Sequence, residues 1–205
     1  VEFVAADGDE IVVDGLRRGF GWNEAAAQDS LRQLELLVEE SGDTLRIELR
    51  RPSFAAVGRA PTAELRVALP AGVAAEAELV SGELRAEGVR GDLQLRTVSG
   101  SVSASDTAGR LDVRTTSGDV ELSDHSGPLA IETTSGEVQA DGELADPRVT
   151  TVSGDVELDG TVGELEARSI SGALSVTDAR DARLRIESTS GDVEFAGALA
   201  AGASE

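Results

Sequence analysis

Apolar and polar residues alternate through residues 80–191, on both sides of a Ser-Gly pair that returns at a nearly constant step. Relative to each Ser, apolar residues stand six and four positions before it and three and five after it, as at Val113 and Val120 around Ser117. Alternation with a period of two is typical of half-buried β-strands. Each repeat therefore predicts two short strands that meet at a Ser-Gly corner. The pairs lie 18 residues apart, with one last step of 19, and begin at Ser81, Ser99, Ser117, Ser135, Ser153, Ser171 and Ser190.

A second corner is predicted seven residues after each Ser, where the chain carries only Gly or Asp. Gly reaches positive φ at no steric cost, and an Asp side chain can bond nearby backbone amides, so both residue types favour turns. Each repeat thus completes one circuit, and we expect the next circuit to stack on it at the ~4.8 Å spacing of neighbouring strands. The corner positions are Gly88, Asp106, Asp124, Gly142, Gly160, Asp178 and Gly197.

Two other architectures share part of this pattern. A β-sandwich also has short alternating strands, but it gives no reason for identical corners at a constant step. A left-handed hexapeptide helix also has 18-residue circuits, but it needs an aliphatic residue every six positions, whereas the inward spacings here are two, seven, two and seven. Crossovers between parallel strands are overwhelmingly right-handed. The sequence therefore predicts an all-β fold, a single-stranded right-handed parallel β-helix (solenoid) of about seven 18-residue coils with a hairpin and short-helix cap at its N-terminal end.

The chain divides into three segments of one continuous domain. Residues 1–72 lack the repeat and are predicted to form a β-rich capping segment, residues 73–197 form the β-helix repeat region, and residues 198–205 form a C-terminal tail. A β-helix exposes unpaired backbone and an apolar end, so it needs caps. The tail is small and weakly patterned. We therefore expect either that the natural chain continues beyond it or that this end meets another molecule.

Three local patterns lie within the capping segment. Asn23–Leu34 has helix-forming composition, with Asn23 as a candidate N-cap. Leu34–Val38 and Thr44–Leu49 flank a turn and predict a β-hairpin. Arg50–Pro61 holds two Pro residues and is predicted to be a loop.

The hydroxyl residues two positions before each Ser share the parity of the inward apolar residues. This predicts a ladder of stacked hydroxyl groups inside the corner. An ice-binding face would need flat, outward Thr rows, and the parity argues against one. The residues are Thr97, Thr115, Thr133, Thr151, Ser169 and Ser188.

Composition narrows the classes of partner. The 205 residues suffice for a sizeable core, but aromatic residues make up only 2%, so the core must be aliphatic. The absence of Cys excludes disulfides and Cys metal sites. The net charge of −21 comes from 39 acidic residues against 18 Arg, with no Lys. Such a charge repels phosphates and anionic membranes, and no apolar run approaches the ~20 residues that span a bilayer. We therefore expect no nucleic-acid partner and no direct membrane insertion.

Candidate catalytic side chains are few. His125 is the only histidine, and within the sequence Asp-His-Ser-Gly it is predicted to be an exposed loop residue. It has no second His or Cys with which to complete a zinc site, and the repeated Ser residues are better explained as corner formers than as nucleophiles. Trp22, beside Phe20, is predicted to anchor the cap, with an exposed aromatic patch for a sugar or a partner as the alternative.

Acidic residues recur two and four positions after the Ser residues, where the parity directs them outward. Carboxylates ~5 Å apart repel each other by roughly 1 kcal/mol even in water, and a divalent cation would relieve the repulsion. Three interpretations follow: a solvated face that resists aggregation, a calcium site with calcium as the only candidate cofactor, or glycosidase or lyase carboxylates. The calcium-binding nonapeptide of β-rolls is missing, and the repeats have almost no insertions that could build a substrate groove. We call these residues the acidic face: Asp119, Glu121, Glu137, Asp155, Glu157, Asp192 and Glu194.

Several stretches carry a resemblance to a known family. The repeats TTSGDVEL and TVSGDVEL (Thr115–Leu122 and Thr151–Leu158), the segment SGDTLRIELRRP (Ser41–Pro52) and the segment LRVALPAGV (Leu65–Val73) resemble a bacterial family of adhesin-like domains of unknown function with repeated Ser-Gly-Asp/Glu-Val motifs. The likeness covers nearly the whole chain. It implies a right-handed β-helix on exported or membrane-anchored bacterial proteins, outside the cell or in its envelope, and it supplies no catalytic residues.

These observations favour a non-enzymatic scaffold that acts by display, adhesion or self-assembly. The expected partners are further copies, met through the C-terminal end or a flat face, or a protein or glycan surface. A cation-binding or ligand-binding module that uses the acidic face is the alternative. A carbohydrate-active enzyme is a more distant one, since the fold can host such chemistry.

Overall fold

Strands dominate the computed structural model, which describes residues 1–6, 8–20, 22–32, 35–41, 44–50 and 62–200. Within these residues the one helix is α1 (Glu24–Arg32). The strands are β1 (Glu2–Ala5), β2 (Val12–Arg18), β3 (Glu35–Ser41), β4 (Thr44–Arg50), β5 (Thr62–Leu69), β6 (Ala74–Ser81), β7 (Leu84–Glu87), β8 (Leu93–Ser99), β9 (Val102–Ser105), β10 (Leu111–Ser117), β11 (Val120–Ser135), β12 (Val138–Ser153), β13 (Val156–Ser171), β14 (Leu174–Ser190) and β15 (Val193–Leu199).

The strands of the repeat region stack in parallel, corner over corner. Ser99 pairs with Ser117, and Ser117 pairs with Ser135. The same register continues through β12, β13 and β14. One 18-residue repeat is therefore one coil, and the predicted parallel β-helix of about seven coils is confirmed.

The second corner turns through left-handed backbone. Asp106, Asp124 and Asp178 have φ values of 49°, 53° and 46°, and the Gly residues at the matching positions of three other coils also have positive φ. Asp tolerates this conformation because its short polar side chain bonds locally. The prediction of a Gly or Asp corner is confirmed at these six positions. Gly197 has no positive φ, so the last coil lacks this turn.

The core is a narrow aliphatic column inside the coils. One inward position shows it: five successive coils place side chains there that are at most 1% exposed. Burying such a side chain stabilises the fold by about 1.5–3 kcal/mol. Phe3 is the only aromatic residue among the buried residues described, which agrees with the aliphatic core expected from composition. The five are Leu95, Val113, Ile131, Val149 and Ala167.

The N-terminal strands both extend and close the stack. β1 lies between β5 and β7 and is parallel to both, and β4 is parallel to β6. β2 and β3 then pair antiparallel with β5 and β4. The predicted hairpin is confirmed as β3–β4, and these two antiparallel pairs are the outermost at the N-terminal end of the sheet.

Asn23 caps α1 as the sequence predicts. The backbone N–H of Ala26 donates to Asn23 Oδ1 at 2.8 Å, which satisfies one of the free donors of the first turn. Glu24 in the first turn and Arg32 in the last turn have the charges that the helix dipole favours.

Some sequence predictions fall outside the described residues: Leu34 at the helix end, the hairpin turn at residues 42–43, the loop 51–61, and residues 201–205 of the tail. The three segment boundaries, 1–72, 73–197 and 198–205, stay predictions. None of the helical residues described forms a helix long and apolar enough to cross a membrane.

Candidate functional site

The Ser-Gly corners of successive coils lie in close backbone contact. Gly136 has a φ of 128°, and a Cβ placed on it would lie 2.3 Å from the carbonyl oxygen of Gly118, directly beneath it in the stack. Only Gly permits this approach of two backbones. The corners are therefore structural, as the sequence suggested for their Ser residues.

Aspartates tie successive coils together at exposed positions, which the sequence analysis did not foresee. Asp119 Oδ1 accepts the backbone N–H of Glu137 at 3.0 Å, and Asp155 Oδ1 accepts that of Ala173 at 2.8 Å. Asp92 and Asp146 make the same contact to the residue 18 positions later. We call these four residues the inter-coil Asp caps. Their signal in the sequence is an Asp beside a corner whose backbone partner lies one repeat away.

The residues of the acidic face are all exposed, and the register separates many of them. In one row Glu121 pairs with Gln139, which pairs with Glu157. Neutral residues thus hold the Glu residues of this row two coils apart, about 10 Å, which is close to one Debye length at 0.1 M salt. The row therefore contains less like-charge repulsion than its composition suggests.

The other row brings carboxylates onto successive coils at Asp119, Glu137 and Asp155. Two of the three already use one oxygen as inter-coil Asp caps, and Glu137 Oε1 accepts from Gln139 Nε2 at 2.7 Å. No group of three or more His, Asp or Glu side chains in the described ranges is arranged to hold a metal ion. Calcium binding by the acidic face therefore stays a proposal.

The neighbouring face of the solenoid carries balanced charges. Arg148 Nε lies 2.8 Å from Glu166 Oε2, and Arg168 bridges Glu166 and Glu187 at 2.6 and 3.2 Å. Arg114 pairs with two carboxylates in the same way. The hydrogen bond from Arg148 holds the pKa of Glu166 below its ordinary value, and the charges of Arg168 and Arg148 add to the effect. Charges on this face are thus paired, whereas no ion pair joins a described Arg to a residue of the acidic face.

His125 is buried, and the prediction of an exposed loop residue is wrong. The side chain is 1% exposed inside β11, and its Nδ1 lies 3.0 Å from Thr107 Oγ1 in the coil before. Its Nε2 has no partner among the described residues. Burial lowers the pKa of His125, and backbone contacts with Pro128 and Thr107 offset this only partly. The histidine is a polar core residue that no substrate can reach.

Trp22 does not anchor the cap. Its side chain is 90% exposed, so the anchoring prediction is wrong and the alternative of an exposed aromatic residue stands. Trp22 directly precedes Asn23, the N-cap residue of α1.

The hydroxyl ladder lies inside the solenoid as predicted, except at its end. Thr97, Thr115, Thr133, Thr151 and Ser169 are 3–7% exposed. Thr133 Oγ1 and Ser169 Oγ donate to the carbonyl oxygens of Ser135 and Ser171 at 3.1 and 3.2 Å, so these two hydroxyls support the corner beside them. The buried hydroxyls of Thr97, Thr115 and Thr151 have no hydrogen-bond partner among the described residues. Ser188 is exposed because the last coil has no described coil beneath it, and the prediction is wrong there.

An open groove of about 640 Å³ lies at the N-terminal end. Three of its four carboxylates are paired with arginines: Glu64 with Arg18 at 3.0 Å, Glu83 with Arg85 at 2.5 Å, and Glu2 with Arg66 at 4.0 Å. The fourth, Asp14, is exposed. A hydrolase needs one carboxyl kept protonated and a second one free beside the substrate. With three of its four carboxylates paired to arginines, the groove does not present such a pair of acids.

The chain matches a protein-family model, whereas no curated protein and no solved structure matches it. The matching family model is described as Toastrack DUF4097 and covers residues 23–199. It spans the N-terminal helix, the hairpin and every coil of the solenoid. The chain is therefore a member of the Toastrack DUF4097 family.

Proposed function

We propose that the protein is a non-enzymatic structural scaffold, a rigid β-solenoid rod that acts by display, adhesion or assembly. The observation that carries the proposal is the uninterrupted stack of equal coils, in which Ser-Gly corners, inter-coil Asp caps and Arg–carboxylate pairs all serve to join one coil to the next. About seven coils at ~4.8 Å give a body roughly 34 Å long. Such a body holds its faces at fixed positions.

The absence of a formed active site among the described residues supports a role without catalysis. His125 is buried, three of the four carboxylates of the groove are paired with arginines, and the coils described carry no long loops. Degradation of a polyuronide, abolished by one acidic substitution, would overturn this part of the proposal.

The adhesin-like role and the bacterial envelope or exterior are parts of the same proposal. They rest on the resemblance of the repeats and on the rod itself, which can hold a face away from whatever anchors it. A glycan or protein surface would meet the flat faces. Binding of the purified chain to immobilised glycans, followed by mapping to one face, is the measurement that tests adhesion.

Calcium binding by the acidic face is the second proposal. The carboxylates of Asp119, Glu137 and Asp155 on successive coils favour it, because hard cations bind clustered oxygens. Calorimetric titration with calcium tests it, with the double variant Asp119→Asn/Asp155→Asn as the control. Equal heats, or a calcium-induced shift in melting temperature that does not differ between the two proteins, would refute calcium binding there.

Rigidity is the property that tests the scaffold directly. The chain has no Cys, so spin labels can be placed on pairs of introduced cysteines and their separation measured by pulsed electron resonance. Glu83→Cys with Ala173→Cys lies five coils apart, about 24 Å, and Ser101→Cys with Ala173→Cys four coils, about 19 Å. We expect two narrow distributions that differ by one coil spacing. Broad distributions that do not differ would overturn the rigid rod.

A further inference from the structure

The core of the solenoid is uncovered at its C-terminal end in the part of the chain described. Along one inward column the side chains of Val120, Val138, Val156 and Leu174 are 0–3% exposed, whereas Val193 in the last coil is 46% exposed. Leu199 is 58% exposed, and Phe195, Leu184 and Ile186 are only partly buried. Apolar surface of this kind is stabilised when another molecule covers it.

The strand at this end lacks the usual protection of an edge strand. β2 and β3, the edge strands at the other end, each contain three charged residues. β15 contains one charged residue, Glu194, among its seven residues and has no Pro. Charges and Pro are the common means by which edge strands avoid pairing with another chain. β15 is therefore the described edge best suited to pair with another strand.

The hydrogen bonds of β15 show which groups are free to pair. The N–H of Leu174 in β14 donates to the carbonyl oxygen of Asp192 at 2.9 Å. The N–H of Ala200 donates to the carbonyl oxygen of Ala182 in β14 at 3.0 Å. Even-numbered residues of this strand thus direct their backbone groups toward β14. Odd-numbered residues, from Val193 to Leu199, direct theirs to the open edge, because backbone groups alternate along a strand. Gly197 does not have the positive φ of the matching corners in the coils before it, and β15 runs through that position.

We propose that a second copy of this chain closes the open end about a two-fold axis at Ala196, with β15 antiparallel to β15 of the partner. This inference rests on the proposed scaffold and names its assembly contact. The register is the one that pairs all seven residues of β15. It sets Val193 opposite Leu199 and Phe195 opposite Gly197, so inward side chains meet inward side chains and odd-numbered residues exchange backbone hydrogen bonds.

Charge and symmetry favour a second copy over an endless stack. In this register Glu194 faces Ala198, so no carboxylate opposes its own copy, although the chain carries a net charge of −21. Head-to-tail growth would need a free parallel edge at the N-terminal end, but the antiparallel β2 and β3 are the outermost strands there. An isologous contact uses the same surface on both copies and closes at two.

The experiment is disulfide trapping of single-cysteine variants. Residues directly opposite in a pair that exchanges no hydrogen bonds have Cα atoms about 4.5 Å apart, within the range of a disulfide, so Ala196→Cys should crosslink to its own copy. Ala198→Cys, on the same exposed side of the same strand, would lie about 14 Å from its copy and should not. Both are incubated with oxidised glutathione at equal concentration, and folding is verified by circular dichroism.

A crosslinked dimer of Ala196→Cys, with at least a tenfold lower yield for Ala198→Cys, is the expected result. Equal yields, or no crosslink of Ala196→Cys, would overturn the two-fold. A second variant, Val193→Pro, removes an outward N–H and should abolish dimers in light scattering, whereas Val193→Thr, which keeps the N–H, should retain them. Dimers that survive Val193→Pro would also overturn it. The distributions of the spin-label distances within one chain should stay narrow whether or not the chain dimerises. A result against the dimer is therefore distinguishable from a result against the rigid rod.

Discussion

Gly136 offers a sharp test of the corner-over-corner stacking, because Ala there faces two separate penalties. The φ of 128° lies in a region that is essentially restricted to Gly, which costs of order 1–3 kcal/mol for another residue. A Cβ 2.3 Å from the carbonyl oxygen of Gly118 forces the two coils apart, for a further 1–3 kcal/mol or so. The stiffer unfolded chain returns only about 0.4–1 kcal/mol. We expect Gly136→Ala to destabilise the protein by about 3 kcal/mol.

Three other glycines separate these two penalties. Gly72 has a φ of 85° with nothing within 4 Å of an added Cβ, so Gly72→Ala meets only the backbone strain. At Gly91 the φ is not positive, but the Cβ would lie 2.2 Å from the carbonyl oxygen of Val73, so Gly91→Ala meets only the clash. Gly8→Ala meets neither. We expect losses of about 1 kcal/mol for the first, 1–2 kcal/mol for the second and about zero for the third.

The assay is denaturant unfolding followed by far-ultraviolet circular dichroism. Trp22 is 90% exposed and would report poorly on the core by fluorescence. A repeat array can unfold in parts, so we compare midpoints together with slopes. Should Gly136→Ala unfold at the same denaturant concentration as Gly8→Ala, the coils do not approach as described and the register is wrong.

Three further predictions concern the core and the faces. Asp119→Ala should cost about 1 kcal/mol through its lost bond to the N–H of Glu137, and Glu121→Ala on the same face about zero; equal losses in chemical denaturation would refute the inter-coil Asp caps. Because burial lowers the pKa of His125, its contribution to stability is full above about 6.5, the unfolded value, and is lost as the pH falls below it. The melting temperature should therefore fall more steeply from pH 7.5 to 5 in the wild-type protein than in His125→Thr, and parallel curves would contradict the buried histidine. Leu165→Ala, at a side chain with 0% exposure, should cost about 2–5 kcal/mol in the same unfolding assay, and a loss below 1 kcal/mol would mean that the column is loosely packed.

The sequence predicts the coil well because each coil repeats the same local sequence pattern. The step of 18 residues sets the circuit, the alternation sets which side chains face inward, and Gly or Asp sets the corners; the register of Ser99, Ser117 and Ser135 follows directly. Asn23 as a helix cap is likewise a local feature, and a local pattern predicts it.

Features that depend on the neighbouring coil are the ones that the sequence does not reveal. Asp-His-Ser-Gly has the composition of a turn, yet β11 and β12 shift register after Leu122, and His125 takes an inward position beside Thr107. In the sequence the inter-coil Asp caps are indistinguishable from other acidic residues, because each one bonds to a backbone N–H that lies 18 residues later. Trp22 misled for a different reason: a lone large aromatic residue suggests a core position, but the narrow aliphatic column leaves it outside.

The most direct test of the account is the solution mass of the wild-type chain by light scattering across a concentration series, with and without calcium. Closure of the last described coil by a second copy predicts a rise from the chain mass of 21.1 kDa to twice that value, a plateau there, and the same curve in calcium. A mass of 21.1 kDa at every concentration, or growth that needs calcium or passes the dimer, would contradict it.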